Sequence, residues 1–457
     1  MHLYKSSINQ DKYMSGTIET GGEPNIIRQR IDEGGLTPGI IIIVALCFIL
    51  NMFDGFDVVA MSVAMPALAE AWGLSGDLRG YILSAALLGM ALGAMLLAPL
   101  CDRLGRRRMI IYSSVVTGSC MIITSLLPQS VVLMIGIRVV TGLGIGVILV
   151  STAAVVAEFT PQRWRNFAVP LAISGYPFGA MLISPIAEYV LPNYGWEYLF
   201  MLGGILTLTA SIALFVLLPE SISFMATQSR RNNNQLPEIN VALTRIGRAP
   251  IETIPAVEPA PKAGRVASIL THAYRVDTVK LWIAFFAAFA TLYFLLSWIP
   301  SLFVNSGLTR AEGIRALFFF NLGGIVGIYT IGMITSWLHL GRTISLYYFL
   351  TAAAMLYFSI AQLADPERLN ILIFVTGMGM HGAFAAMYAV AARVYAVTER
   401  ATGIGWSIGL GRIGAIVSPS IAGLLLTLGW TMYPMFVLFA MPILLSAFLV
   451  ATVKLRV

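Results

Sequence analysis

Long apolar stretches separated by short polar gaps set the pattern of this chain. They recur at about 39–65, 80–101, 109–127, 131–157, 166–190, 197–218, 279–304, 314–337, 343–363, 369–396, 403–427 and 431–453. Crossing a bilayer takes roughly 20 apolar residues as an α-helix. The pattern therefore predicts an all-α membrane protein with twelve transmembrane helices. Gly and Pro recur inside the stretches, which helices in lipid tolerate better than helices in water. The longest polar gap divides the spans six and six. The expected organisation is a tail at 1–37, a six-helix half at 38–218, a central loop at 219–278, a second half at 279–453 and a short tail at 454–457. Residues 1–37 have no apolar core directly after a basic start, so they read as a retained cytoplasmic tail and not a signal peptide. Within the central loop, Ile254 to Gly264 is rich in Pro and Ala and reads as a semi-stiff linker. The loop has few large apolar residues with which to build a folded domain.

Composition narrows the class. Of 457 residues, 58% are hydrophobic and only 11% charged, with a mean hydropathy of +0.82. That balance excludes a soluble protein of this size. The net charge of +7 does not indicate nucleic-acid binding, because no basic stripe is interleaved with aromatics. The basic residues fall in the gaps between spans, and unevenly. With the N-terminus inside, 23 of the 29 Lys and Arg face the cytoplasm and four the outside. This asymmetry predicts cytoplasmic N- and C-termini and a multi-pass protein of the cell inner membrane. Cys47, Cys101 and Cys120 have no metal-ligand spacing and suggest no disulfide framework. No nucleophile–base or metal constellation marks an enzyme, so no cofactor is expected.

Charge inside the spans carries the candidate chemistry. A carboxylate near the bilayer centre costs about 2.5–3.5 kcal/mol, yet the first span holds Asp54 and Asp57. Three residues apart on a helix, they share one face, which must look inward. Counting about 1.5 Å per residue puts them roughly 22–27 Å from the inner membrane face, and Arg138 of the fourth span roughly 30 Å from it. An Asp–Arg pair at that depth relieves both insertion costs. Protonating the acid would weaken the pair, so Asp54, Asp57 and Arg138 are the expected proton-coupling group. A second group lies nearer the midplane: Arg412, His381 and Tyr176, each about 15–18 Å in. Arginine can grip a carboxylate with two parallel hydrogen bonds. Tyr176, Tyr293, Phe294, Trp298, Tyr388 and Trp406 could supply a stacking surface for an aromatic ring. The competing reading for each aromatic is packing or an interface belt, and for His381 a satisfied interior imidazole.

The halves repeat. Gly175-Tyr-Pro-Phe-Gly179 through Ser184-Pro185 resembles Gly409-Leu-Gly-Arg-Ile-Gly414 through Ser418-Pro419. Glu158 with Arg165 corresponds to Arg393 with Arg400, and Asp102-Arg-Leu-Gly-Arg106 to Leu338-His-Leu-Gly-Arg342. Internal duplication of this kind marks transporters whose site lies between the halves. Asp102, Arg106, Glu158, Arg165, Arg393 and Arg400, all at inner span ends, are the expected gate: joined when the cavity faces outward, parted when it faces inward.

The loop Asp102-Arg-Leu-Gly-Arg-Arg-Arg108 resembles the D-R-x-G-R-R loop of the major facilitator superfamily, with Ala98 where that family has glycine. Arg138-Val-Val-Thr-Gly142-Leu-Gly144-Ile-Gly146 resembles its fourth-span motif. The fifth span departs from the G-P-x-x-G-G pattern of drug/proton antiporters, which favours uptake over efflux. Asp54-Gly-Phe-Asp57, Gly195-Trp-Glu-Tyr-Leu-Phe200, Leu218-Pro-Glu-Ser221 and Ser297-Trp-Ile-Pro300 are similar to the aromatic acid:proton symporters within that superfamily, the carriers of benzoate and 4-hydroxybenzoate. Arg138, Glu158, Arg400 and Arg412 match charged positions of that group. The resemblance implies a major facilitator fold in two six-helix halves and a monomer in the lipid bilayer. It further implies a proton-coupled importer of an aromatic carboxylate of the benzoate, hydroxybenzoate or lignin-derived kind, with protons as the coupling ion. The alternatives are a symporter of another organic anion or of a sugar-type substrate, or a proton-driven exporter.

Overall fold

The computed structural model describes residues 26–229, 235–254, 266–335, 337–362 and 365–455. Most of the expected linker, the tail up to residue 25 and the last two residues lie outside them. Among the described residues, twelve helices are long and apolar enough to cross a membrane. The first half holds α1 (Pro38–Trp72), α2 (Gly76–Leu104), α3 (Arg106–Ser125), α4 (Val131–Phe159), α5 (Gln162–Tyr194) and α6 (Trp196–Leu217). The second holds α7 (Arg275–Asn305), α8 (Arg310–Ile334), α9 (Leu340–Ala361), α10 (Pro366–Val394), α11 (Val397–Thr427) and α12 (Met432–Ala451). The described chain begins and ends at one face of the bundle, the terminal face; the opposite one is the distal face.

Local chemistry fixes several boundaries. Helix α1 opens at Thr37, whose hydroxyl accepts from the Ile40 amide at 3.3 Å, with Pro38 in the first turn. It runs past Pro66 and stops only at Gly73, which takes a left-handed φ of 64° that suits a residue without Cβ. Helix α8 opens on a reciprocal cap between Thr309 and Glu312. Helix α5 breaks between Ile173 and Gly175, just after Pro170.

Glycines set the closest helix contacts, and both halves use them alike. A Cβ at Gly89 or Gly93 of α2 would meet the backbone of α4, and one at Gly142 or Gly146 would meet the backbone of α2. The equivalent α8–α10 pair interlocks through Gly323, Gly327 and Gly377. Gly175 and Gly179 of α5 lie against Phe48 and Met52 of α1, as Gly414 of α11 lies against Phe286 of α7. Backbone cannot yield as a side chain can, so Gly142→Val is expected to destabilise the protein by about 2–3 kcal/mol or more. Gly136, three residues from Val139 on the same helix, has open space where a Cβ would go. Gly136→Val is expected to stay within about 0.5 kcal/mol of the parent. Thermal unfolding of the two purified variants in detergent measures the difference.

The polar segments are more ordered than their composition suggests. Short helices Ile26–Asp32, Ile222–Ser229 and Leu236–Arg245 pack on the terminal face of the first half. Ile27, Ile31, Ile222, Met225, Ile239, Leu243 and Ile246 join one buried cluster with Ile40, Val155 and Phe159. The large apolar residues are few, but 239, 242, 243 and 246 form a helical stripe, and one stripe is enough to dock a helix. The Thr37 hydroxyl donates to the Ile246 carbonyl at 2.6 Å, and Arg248 donates to the Gly35 carbonyl at 2.7 Å.

The two halves meet through α2 with α11, α5 with α8, and α1 with α7. The first two pairings are equivalents under the repeat. Hydrogen bonds tie the halves together towards the distal face. Ser62 donates to the Leu296 carbonyl at 2.7 Å, Ser84 bonds Ser420 at 2.8 Å, and Thr427 accepts from the Asp77 amide at 2.9 Å. Ion pairs Arg310–Glu70 and Arg315–Glu188 close the same end. The halves are thus tied distally, while Arg393 and Arg400 at the terminal ends of α10 and α11 stand exposed.

Candidate functional site

The intramembrane charges form two centres. In the first, Nη1 of Arg138 (α4) reaches both carboxylate oxygens of Asp57 (α1), at 2.7 and 3.0 Å. Their side chains are 2% and 0% exposed, respectively. The guanidinium also lies 5.9 Å from the Phe200 ring centre. A buried pair of this geometry offsets the insertion cost that each charge would carry alone. Asp54, one turn earlier on α1, is just as buried, yet neither of its oxygens has a hydrogen-bond partner among the described residues. The sequence pattern brings Asp57 and Arg138 together as expected but does not distinguish the two acids. The structure does: one is paired and one is not. Asn51, a turn further back and not singled out from the sequence, ties α1 to α4 and α5 through Thr152 at 3.1 Å and the Ala172 carbonyl at 3.2 Å.

The second centre gathers around Arg412, midway along α11. No ion pair involves Arg412 among the described residues. The guanidinium is half-buried and within electrostatic reach of the Tyr176 and Tyr388 phenols. Tyr176 (α5) comes close to the Tyr293 hydroxyl of α7 and to Asp54, but its own Oη makes no well-formed hydrogen bond. A Cβ at Gly55 would collide with the Tyr176 carbonyl, which places Asp54 beside that turn of α5. Side chains of five elements, α1, α5, α7, α10 and α11, therefore come near one another between the halves. The wall on the second-half side is aromatic. Phe289 stacks on Tyr293 with ring centres 6.1 Å apart and meets Phe384 edge-on at 4.7 Å; Phe384 meets Tyr388 at 5.8 Å. His381 falls on the same stripe of α10 as Phe384 and Tyr388. Its ring lies 4.8 Å from Phe320, and Nδ1 sits 3.3 Å from the Gly377 carbonyl.

Three aromatics expected near the site lie elsewhere. Trp298 is fully buried, and its indole N–H donates to the Pro419 carbonyl at 3.1 Å, which fixes α7 to α11. Phe294 is stacked on Phe439 of α12 with ring centres 3.9 Å apart. Trp406 is 43% exposed on the face of α11 that carries Ile413, Val417 and Ile421, which are also exposed. That face points outward from the bundle. Phe289 and Phe384 take part instead, and the sequence pattern did not single them out. Extending the helical period back from Tyr293 by four and on from His381 by three finds both.

At the terminal face, Arg106 donates to Glu158 at 3.0 Å and contacts Asp102 at 3.4 Å. Glu158 also accepts from the Ser221 hydroxyl at 2.8 Å and the Ser223 amide at 2.6 Å. Arg165 borders the same recess, and Arg28 donates to the Glu158 and Thr160 carbonyls at 3.0 and 2.9 Å. The structure thus assembles Asp102, Arg106, Glu158 and Arg165 within the first half and leaves Arg393 and Arg400 apart from them.

A profile described as the Major Facilitator Superfamily matches residues 47–373. The chain belongs to the major facilitator superfamily. Curated relatives in this superfamily are transporters and not enzymes. The 4-hydroxybenzoate transporter PcaK of Pseudomonas aeruginosa is 32% identical over 85% of this chain and 86% of its own. A gallate transporter of Pseudomonas putida is 30% identical, covering 92% and 93%. A benzoate transport protein of Acinetobacter baylyi is 28% identical, covering 88% and 87%. Among solved structures, the inward open conformation of the xylose transporter XylE from E. coli superposes with a TM-score of 0.68, covering 92% of this chain and 97% of its own at 15% identity. That likeness shows the superfamily fold. The expected fold is therefore borne out, as is the resemblance on which it was based.

Proposed function

We propose that the protein imports an aromatic carboxylate across the cell inner membrane, driven by protons, with both termini in the cytoplasm. The observation that carries the reading is Arg412. It is a guanidinium without a carboxylate partner among the described residues, midway across the bundle, beside a wall of Phe289, Tyr293, Phe384 and Tyr388. Such a site suits a ligand with an anionic head and a flat ring. The named substrates of the relatives share that form. Asp54 takes the coupling proton in this account, because an acid with no cation bonded to it loses least on becoming neutral. The Asp57–Arg138 pair braces α1 against α4 and senses the change one turn away. Competition for uptake of labelled 4-hydroxybenzoate by aromatic, aliphatic and sugar compounds tests the substrate class. Aromatic monoacids should compete, and succinate and xylose should not; the opposite result removes the aromatic reading.

Alternating access then requires the terminal face to close. Glu158 would exchange Arg106 for Arg393 or Arg400, its opposite-charge counterparts in the second half. Glu158→Lys puts like charges in that interface, which costs several kcal/mol, and is expected to slow transport at least about tenfold at normal expression. Adding Arg400→Glu should restore part of the rate. Normal transport by Glu158→Lys alone would show that these charges only solvate helix ends.

A further inference from the structure

We infer that the seam between α9 and α12 holds an anionic phospholipid, with its phosphate on Arg342 and an acyl chain along the apolar walls. The two helices pack side by side and leave a recess of about 500 Å³ between them on the outside of the bundle. Arg342, Ser345, Leu346 and Phe349 line it at the spacing of one helix face, opposite Leu444 and Phe448 of α12. Leu346, Phe349 and Phe448 are 62%, 59% and 68% exposed, so in a membrane-spanning chain lipid covers this face. Arg342 stands at the terminal-face end of the seam. A Cβ at its neighbour Gly341 would come within 3.2 Å of the Val450 carbonyl of α12. From Arg342 the seam runs to Phe349, roughly 10 Å along the helix axis. Its walls are α9 and α12 alone, neither of which contributes to the surroundings of Arg412.

Arg342 lacks the partners that its counterpart has. In the first half Arg106 holds Glu158 at 3.0 Å and Asp102 at 3.4 Å. The repeat sets Arg393 and Leu338 at the positions of those two acids. Arg342 is exposed and makes no ion pair among the described residues. It also lies in the first turn of α9, which has no acidic residue and no side-chain cap at His339. A helix N-terminus favours an anion and disfavours a cation, so a phosphate beside Arg342 relieves both the arginine and the helix end. Trp337, just before α9 and 84% exposed, is of the type that settles at headgroup level. A basic site at that level, continued by an apolar seam, suits the phosphate and the acyl chain of one lipid together. A phosphate monoester without an acyl chain would meet the arginine and leave the seam unused.

Native mass spectrometry of the delipidated full-length protein tests this, with titration by phosphatidylglycerol, by phosphatidylethanolamine of the same acyl chains, or by glycerol phosphate. The parent should bind its first phosphatidylglycerol about fivefold or more tighter than phosphatidylethanolamine. Arg342→Gln should bring the two lipids within about twofold of each other, and Arg342→Lys should keep most of the preference. Arg275→Gln removes an exposed arginine of the same face that does not line the seam, and should leave the preference unchanged. Ser345→Phe fills the seam with Arg342 still present, and should weaken both lipids. Equal loss of preference in Arg342→Gln and Arg275→Gln would show diffuse surface charge and overturn the proposal. So would a parent that does not distinguish the lipids, or undiminished lipid binding by Ser345→Phe. Glycerol phosphate bound as tightly as phosphatidylglycerol, and lost in Arg342→Gln, would make this a site for a free phosphate and overturn the lipid assignment.

Discussion

Asp57→Ala is expected to cost the protein about 3–5 kcal/mol of stability and to abolish transport, because it leaves the Arg138 guanidinium buried without its partner. The pair is sealed, with side chains 2% and 0% exposed and two contacts of 2.7 and 3.0 Å. Arg138→Ala should be as damaging for the mirror-image reason. Removing both charges together, as Asp57→Asn with Arg138→Gln, should recover much of the stability but not the transport. That combination separates the structural part of the pair from its part in coupling. Asp54→Asn is the contrasting case. Neither Asp54 oxygen has a hydrogen-bond partner among the described residues, so the amide should leave thermal unfolding near that of the parent while removing proton-driven accumulation. Thermal unfolding in detergent, set beside uptake under a pH gradient, checks all four variants. Loss of stability in Asp54→Asn comparable to that in Asp57→Ala would contradict the division of labour.

The second large effect concerns Arg412. Replacing it with alanine should weaken binding of an aromatic carboxylate by about a hundredfold, since charge-assisted hydrogen bonds to a carboxylate contribute about 1.5–3 kcal/mol and the planar fork makes two of them. Arg412→Lys keeps the charge and loses the fork, and should fall between the two. Because Arg412 makes no ion pair among the described residues, its loss should leave the folded state nearly intact. Direct binding of 4-hydroxybenzoate by calorimetry gives the affinity, and the unfolding midpoint gives the stability. Unchanged affinity in Arg412→Ala would place the ligand carboxylate elsewhere.

Much of the fold was legible because lipid makes the signal strong. Twelve apolar runs, each long enough to span a bilayer, could not all be buried inside a water-soluble fold of this size, and the twelve expected spans overlap the twelve observed. The ends are less legible. The first apolar run ends near Pro66, but helix α1 continues to Trp72, since proline inside a membrane helix is tolerated and the real stop signal is Gly73. The docked helices on the terminal face are hidden for the opposite reason: their apolar residues are few, and only their spacing reveals a buried stripe. In the site, the charged residues are legible and several of the aromatics are not. Asp57, Arg138 and Arg412 stand out because a charge in an apolar run has to be accounted for. Trp298, Phe294 and Trp406 mislead because a membrane helix is apolar on every side. Lipid, the neighbouring helix and the ligand all accept the same ring, so periodicity does not say which one it meets. Only packing does, and it sets Phe289 and Phe384 beside Tyr293 and Tyr388 in place of these three.

Coupling of uptake to protons is measured with purified protein in liposomes. Labelled 4-hydroxybenzoate is supplied outside, with the interior more alkaline than the exterior, and protein-free liposomes correct for diffusion of the neutral acid. Proton-driven uptake gives accumulation above that background, collapse of the excess on adding a protonophore, and no excess with Asp54→Asn. Carrier-dependent uptake that reaches the same level with and without the gradient would contradict it.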